Sequence, residues 1–133
     1  MTQANTSLLK RALDAFSKGK YSETLTILEQ MHGDRETEAL VHYWKGHCRF
    51  KLKDFALATS ELRQAISLGM KADDLQFTLG QSLFAAQKLE EAKAAFERSA
   101  EQKYKVGPSL YYVGYILQTL DKNRSAAEVY SRS

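Results

Sequence analysis

The sequence predicts an all-α tandem array of antiparallel helix hairpins, and three observations carry that reading. Gly46, Gly80 and Gly114 recur at a 34-residue step, and the step back from Gly46 reaches Ala12, also small. Ala58, Ala92 and Ala126 recur at the same step behind Thr24, and a bulky residue follows each four positions later: Leu28, Leu62, Phe96 and Tyr130. Between these markers the apolar residues return at helical spacing rather than alternating as in a strand. A further bulky series, Tyr21, Phe55 and Leu89, keeps the same phase and breaks at Asn123.

Each repeat divides into two helices. In the first, Lys18-Gly19-Lys20 supplies the turn, because glycine accepts the left-handed conformation that ends a helix. In the second, Val41, Cys48 and Leu52 share one stripe, Lys53-Asp54 interrupts, and Phe55, Ala58, Leu62, Ala65 and Ile66 continue a second stripe. The third opens at Asp73, whose Asp73-Asp74-Leu75-Gln76 run has capping-box form, an acidic acceptor followed three residues later by glutamine. The fourth opens at Gly107-Pro108, since proline suits a first helical turn where its missing N–H costs nothing.

Composition bounds the rest. A chain of 133 residues, 44% hydrophobic and 26% charged, is long enough to bury a core without a disulfide or metal. Its lone Cys48 has no internal partner, which fits a reducing compartment. Met1 to Arg11 lacks the basic and apolar segments of a signal peptide, and no apolar run approaches the roughly 20 residues of a membrane span. Cytoplasmic residence without a membrane is therefore expected. A formal charge of +3 is too small to argue for nucleic acid.

The third repeat carries a family resemblance. Leu79-Gly80, Leu83, Leu89, Ala92 and Phe96 make it similar to the tetratricopeptide repeat, a 34-residue helix–turn–helix unit that stacks into a right-handed superhelix. Gly80 and Ala92 would let two helices approach while Phe96 fills the space beside them. The second repeat matches through Gly46, Phe55, Ala58, Leu62 and Ala65, but Lys45 and Arg49 stand where the family prefers apolar residues, which implies a looser seam with the first. The family's proline after each second helix is replaced by Glu36, Met70 and Tyr104. In this register one array fills residues 1–133, with units 5–38, 39–72 and 73–106 and a partial unit 107–133. The last unit lacks a polar cap. Either the chain belongs to a longer array, or another subunit covers its terminal hairpin around Val129 and Tyr130.

In such arrays the first helices line the concave face, so the resemblance implies where a partner would bind. The 34-residue step puts Leu9, Tyr43, Phe77 and Tyr111 in one column, Leu13, His47, Gln81 and Tyr115 in a second, and Phe16, Phe50, Phe84 and Gln118 in a third. Lys10, Trp44, Thr78 and Tyr112 flank the first column. Tyr43, Trp44, His47, Phe77, Gln81, Tyr111, Tyr112 and Tyr115 are the candidate peptide-binding residues, because tyrosine and tryptophan bury large areas at low entropy cost. Phe50 and Phe84 serve equally well as core between units. The carboxylate clamp that some relatives use for acidic C-terminal tails is missing: its places hold Leu9, Leu13, Trp44, Asp74 and Thr78. An apolar or aromatic-anchored segment is therefore the expected ligand, extended or helical.

No catalytic constellation emerges. His42 and His47 lie five residues apart, about 140° around a helix, and Cys48 points a further 100° or so away, which opposes a shared metal. Phosphate-loop and hydrolase motifs are absent from the sequence. The expected function is a non-enzymatic protein-interaction module without cofactor, serving as scaffold, adaptor or chaperone. The alternative is a structural or oligomerisation module whose groove or terminal hairpin is filled by another subunit or by downstream chain.

Overall fold

A computed structural model describes residues 1–132 of the chain, with side chains to residue 128. Its helices are α1 (Gln3–Ser17), α2 (Tyr21–Leu28), α3 (Arg35–Lys51), α4 (Phe55–Ser67), α5 (Leu75–Ala85), α6 (Leu89–Glu101) and α7 (Val106–Arg132). No strand occurs among the described residues. Each helix packs on the next in sequence, and α3 also touches α5, so the first helices of successive hairpins lie side by side. No helix among these residues is long and apolar enough to cross a membrane.

One device builds the hairpins. α1, α3 and α5 end in a residue with left-handed backbone, Gly19 (φ 76°), Lys53 (φ 63°) and Gln87 (φ 65°), which keep the 34-residue step. Behind each, the same pair of bonds closes the helix end, as when Lys20 N–H donates to the Ala15 carbonyl at 2.9 Å and Gly19 N–H to that of Phe16 at 3.0 Å. α4 and α6 end in the same way at Gly69 and Lys103.

The small residues of the repeat mark the closest approaches. A methyl group on Gly46 would meet the Leu62 side chain at 2.6 Å, and one on Gly80 would meet the Phe96 ring at 2.8 Å. Ala58 and Ala92 are fully buried, as is Thr24, whose hydroxyl donates back to the Lys20 carbonyl at 2.8 Å. Two buried clusters result. One joins α4, α5, α6 and α7 through Leu62, Leu79, Leu83, Phe96 and Ile116. The other joins α1, α2 and α3 through Ala12, Leu28, Met31 and Val41, with Trp44 packed against it.

The structure departs from the sequence reading in two places. α7 runs unbroken through Asp121, where the repeat predicts the turn of a fourth hairpin. Asn123 stands there in place of the bulky residue that anchors α2, α4 and α6, and nothing approaches within 4 Å of the methyl position on Gly114. The terminal surface expected around Val129 and Tyr130 lies outside the described side chains. Second, Asp73 does not cap α5; Asp74 occupies the N-cap position and makes no side-chain cap bond. α2 stops after eight residues, and the link to α3 is held by buried Met31 and by Asn5, whose amide donates to the His32 carbonyl at 2.9 Å.

Candidate binding groove

The first helices of the hairpins are tied in series by their side chains. From α1, Phe16 meets Trp44 of α3 edge-on, with ring centres 5.4 Å apart. Within α3, Tyr43 packs edge-on against both Trp44 and His47, at 5.2 and 4.6 Å. Tyr43 then reaches α5, its hydroxyl donating to the two oxygens of Asp74 at 2.7 and 2.9 Å. From α5, Phe77 and Phe84 contact Tyr112 of α7, and Phe84 also contacts Tyr115. Helical spacing explains the run, since residues 43, 44 and 47 project to one side of α3.

Two patches differ in character. On α7, Tyr111 and Tyr115 are 73% and 50% exposed, an uncommon degree for residues of this size. With Phe84, Pro108 and Tyr112 they line a shallow pocket of about 350 Å³. On α3, Trp44 and Tyr43 are half-buried and join a polar group. His47 Nε2 lies 3.3 Å from an Asp74 oxygen, close enough for a charge contact but without the alignment of a hydrogen bond. The His47 ring and the Tyr43 hydroxyl hold the Asp74 carboxyl below its ordinary range against the opposing effect of burial. Burial and the same carboxylate push the Tyr43 phenol well upward.

The remaining expected residues fall on both sides of the line between contact and support. Gln81 is half-buried on α5 and is not among the residues lining the tyrosine pocket. Phe77 is only 6% exposed, packed edge-on against Phe96 and Tyr104, so it forms the floor rather than the lining. Tyr112 is intermediate: its ring stacks flat on Phe96 at 4.3 Å, which fixes its orientation. Phe84, read from sequence as core or groove alike, stands at the pocket edge. Asp74 and Pro108 were not among the expected contacts, yet both belong to the patches. Their signal was the column Leu40, Asp74 and Pro108, one turn before Trp44, Thr78 and Tyr112.

Other polar groups are engaged elsewhere. His42 Nδ1 lies 2.6 Å from Glu61, away from His47, and buried Cys48 has its thiol pushed up to about 11 by desolvation. Among the described residues no group of three His, Cys, Asp or Glu side chains converges on a common point. A larger open depression is lined by Thr59, Ser60, Arg63, Gln64 and Lys88, and its Arg63 pairs with Glu91 of α6 at 2.7 Å. It presents no apolar anchor comparable to the tyrosines of α7.

Comparison with known proteins follows the same architecture. The tetratricopeptide repeat family model matches residues 39–68 and 73–105. Human RNA polymerase II-associated protein 3 is 31% identical over 86 residues, which is 65% of this chain but 13% of that protein's length. Among solved structures, the first TPR of Spaghetti (RPAP3) bound to the HSP90 peptide SRMEEVD is 28% identical with a TM-score of 0.79, covering 91% of this chain and 96% of that one. The Yersinia enterocolitica type III secretion chaperone SycD, in complex with a peptide of the translocator YopD, shares the fold at 15% identity and a TM-score of 0.76, covering 90% and 96% of the two chains.

Proposed function

Because the chain belongs to the tetratricopeptide repeat family, we propose that it is a protein-interaction module binding a peptide segment or helix of another protein across α3, α5 and α7. The observation that carries this reading is the exposure of Tyr111 and Tyr115 beside Phe84 and Pro108, in line with the Trp44 patch. Tyr43, Trp44, His47, Gln81, Tyr111, Tyr112 and Tyr115 supply the surface, and Phe77 supports it from below. A solved relative holding a chaperone peptide on the same fold supports peptide binding in general. The ligand class differs, because Leu9, Leu13, Trp44, Asp74 and Thr78 offer an acidic tail no cation. The module acts as scaffold, adaptor or chaperone, without catalysis or cofactor, and works in the cytoplasm.

The test is substitution of the anchors. Trp44→Ala and Tyr111→Ala should each weaken binding of a captured partner by more than about 1 kcal/mol while the helical circular dichroism is retained. Unchanged affinity in both variants contradicts the groove assignment. A second reading, self-assembly, draws on the outer side of α7, where Leu110 and Leu117 are exposed. Sedimentation at several concentrations separates it, since a strict monomer excludes it.

A further inference from the structure

The chemistry of the partner follows from the single carboxylate built into the groove, provided the groove reading holds. The columns of first-helix side chains hold apolar, aromatic or neutral polar groups, apart from Lys10 on α1 and His47 on α3. Asp74 alone among them is acidic. It sits at the N-cap of α5, yet its carboxylate makes no cap bond there. The contrast with α3 is direct: Asp34, at the equivalent place, accepts the Thr37 N–H at 2.9 Å. Asp74 instead turns across the hairpins to Tyr43 and His47.

That arrangement leaves a negative charge unmatched. The Tyr43 hydroxyl is neutral, and His47 contributes a charge only when protonated. Among the described residues no lysine or arginine lies within 4.0 Å of Asp74. Lys105 lies instead over the rings of Phe77 and Tyr104, at 5.1 and 5.8 Å. With its side chain 29% exposed, Asp74 is accessible from solvent while walled by aromatic rings, where a charge acts more strongly than in water. The Tyr43 ring beside it, with Trp44 packed edge-on against that ring, offers faces for the methylene stem of a long cationic side chain and for the cation itself.

We propose that the groove recognises a segment in which a lysine or arginine stands near an apolar or aromatic side chain. The cation pairs with Asp74, its stem lies along Tyr43 and Trp44, and the apolar neighbour enters the pocket of Phe84, Pro108, Tyr111 and Tyr115. An acidic segment would set like charge against Asp74, which selects against it.

The probe is a display library of random heptapeptides panned on the intact chain. Selected peptides should be enriched in lysine or arginine close to large apolar residues, and their affinity should fall with added salt. Asp74→Asn should weaken the tightest peptide by about tenfold or more and remove most of that salt dependence. Asp34→Ala removes a carboxylate and the N-cap bond of α3 outside the groove, so it should hold affinity within about threefold while losing stability. Should Asp74→Asn fail to fold, replacing the peptide's cation by norleucine or citrulline reads the same pairing on the unmodified chain. Binders without a basic residue, or binders indifferent to Asp74→Asn, overturn the proposal; if Trp44→Ala and Tyr111→Ala still weaken those binders, the groove reading survives. Binders indifferent to both aromatic substitutions overturn the groove reading itself.

Discussion

Gly80 and Gly114 hold the same place in successive repeats but face different surroundings. An alanine at Gly80 would press its methyl to 2.8 Å from the Phe96 ring, which is fully buried, stacked under Tyr112 and flanked by Phe77, so it cannot retreat. Gly80→Ala should therefore cost about 1–3 kcal/mol in urea unfolding. Gly114 meets nothing within 4 Å, so Gly114→Ala should stabilise by about 0.5–1 kcal/mol through helix propensity alone. Equal losses at both sites would mean that α7 folds back on itself. Asp74 gives the residue scale its pH dependence. Its folded pKa lies below the ordinary 3.8, so its contribution is complete above that value and is lost as pH falls through the lower folded one. Asp74→Asn should lose less stability on acidification than the unaltered chain; parallel acid limbs would contradict the pairing with His47 and Tyr43. The Gly80–Phe96 approach was legible from spacing, since a small residue and a bulky one sixteen positions on recur together. The direction of the Asp74 side chain was not, because an aspartate before a helix reads as a cap and only the neighbouring helix turns it aside.

Helix ends show the same division between what a sequence displays and what packing decides. Five helices close through a left-handed residue, but only Gly19 and Gly69 are glycine; Lys53, Gln87 and Lys103 adopt that backbone against their own preference. The loss is offset by the paired bonds at the helix end and by the bulky residue that starts the next helix, as with Phe55 after Lys53 and Leu89 after Gln87. At the next step, Asp121, the polar Asn123 supplies no such anchor and the helix continues. Opposite signs follow for one substitution. Gln87→Gly should stabilise by a few tenths to about 1 kcal/mol by relieving the left-handed backbone. Asp121→Gly, inside a continuous helix, should cost about 1 kcal/mol and reduce helical circular dichroism. A gain at both positions would show a turn at Asp121. Gly114 and Ala126 keep the phase of a fourth hairpin in the sequence, but the residue that enforces its turn is changed to Asn123, and the helix runs on.

At the scale of the whole molecule the repeats form one surface and two buried clusters, with α3 contributing Val41 to one and Tyr43 packing against the other. The array and its phase were visible in the sequence as recurrences of glycine, alanine and bulky residues. The split between exposed Tyr111 and floor-forming Phe77 was not, because residues of one column differ in what the next repeat places over them: Tyr104 and Tyr112 cover Phe77, whereas Tyr111 lies open. The central claim is that a peptide segment lies across α3, α5 and α7. Trp44 is the single tryptophan of the chain, so its fluorescence reports on the groove alone. Titration with a peptide selected on the intact chain should shift Trp44 emission saturably, with the midpoint matching the affinity measured from the labelled peptide, and Tyr111→Ala should move both midpoints together. Saturable peptide binding that leaves Trp44 emission and its quenching by iodide unchanged would place the ligand elsewhere and contradict the account.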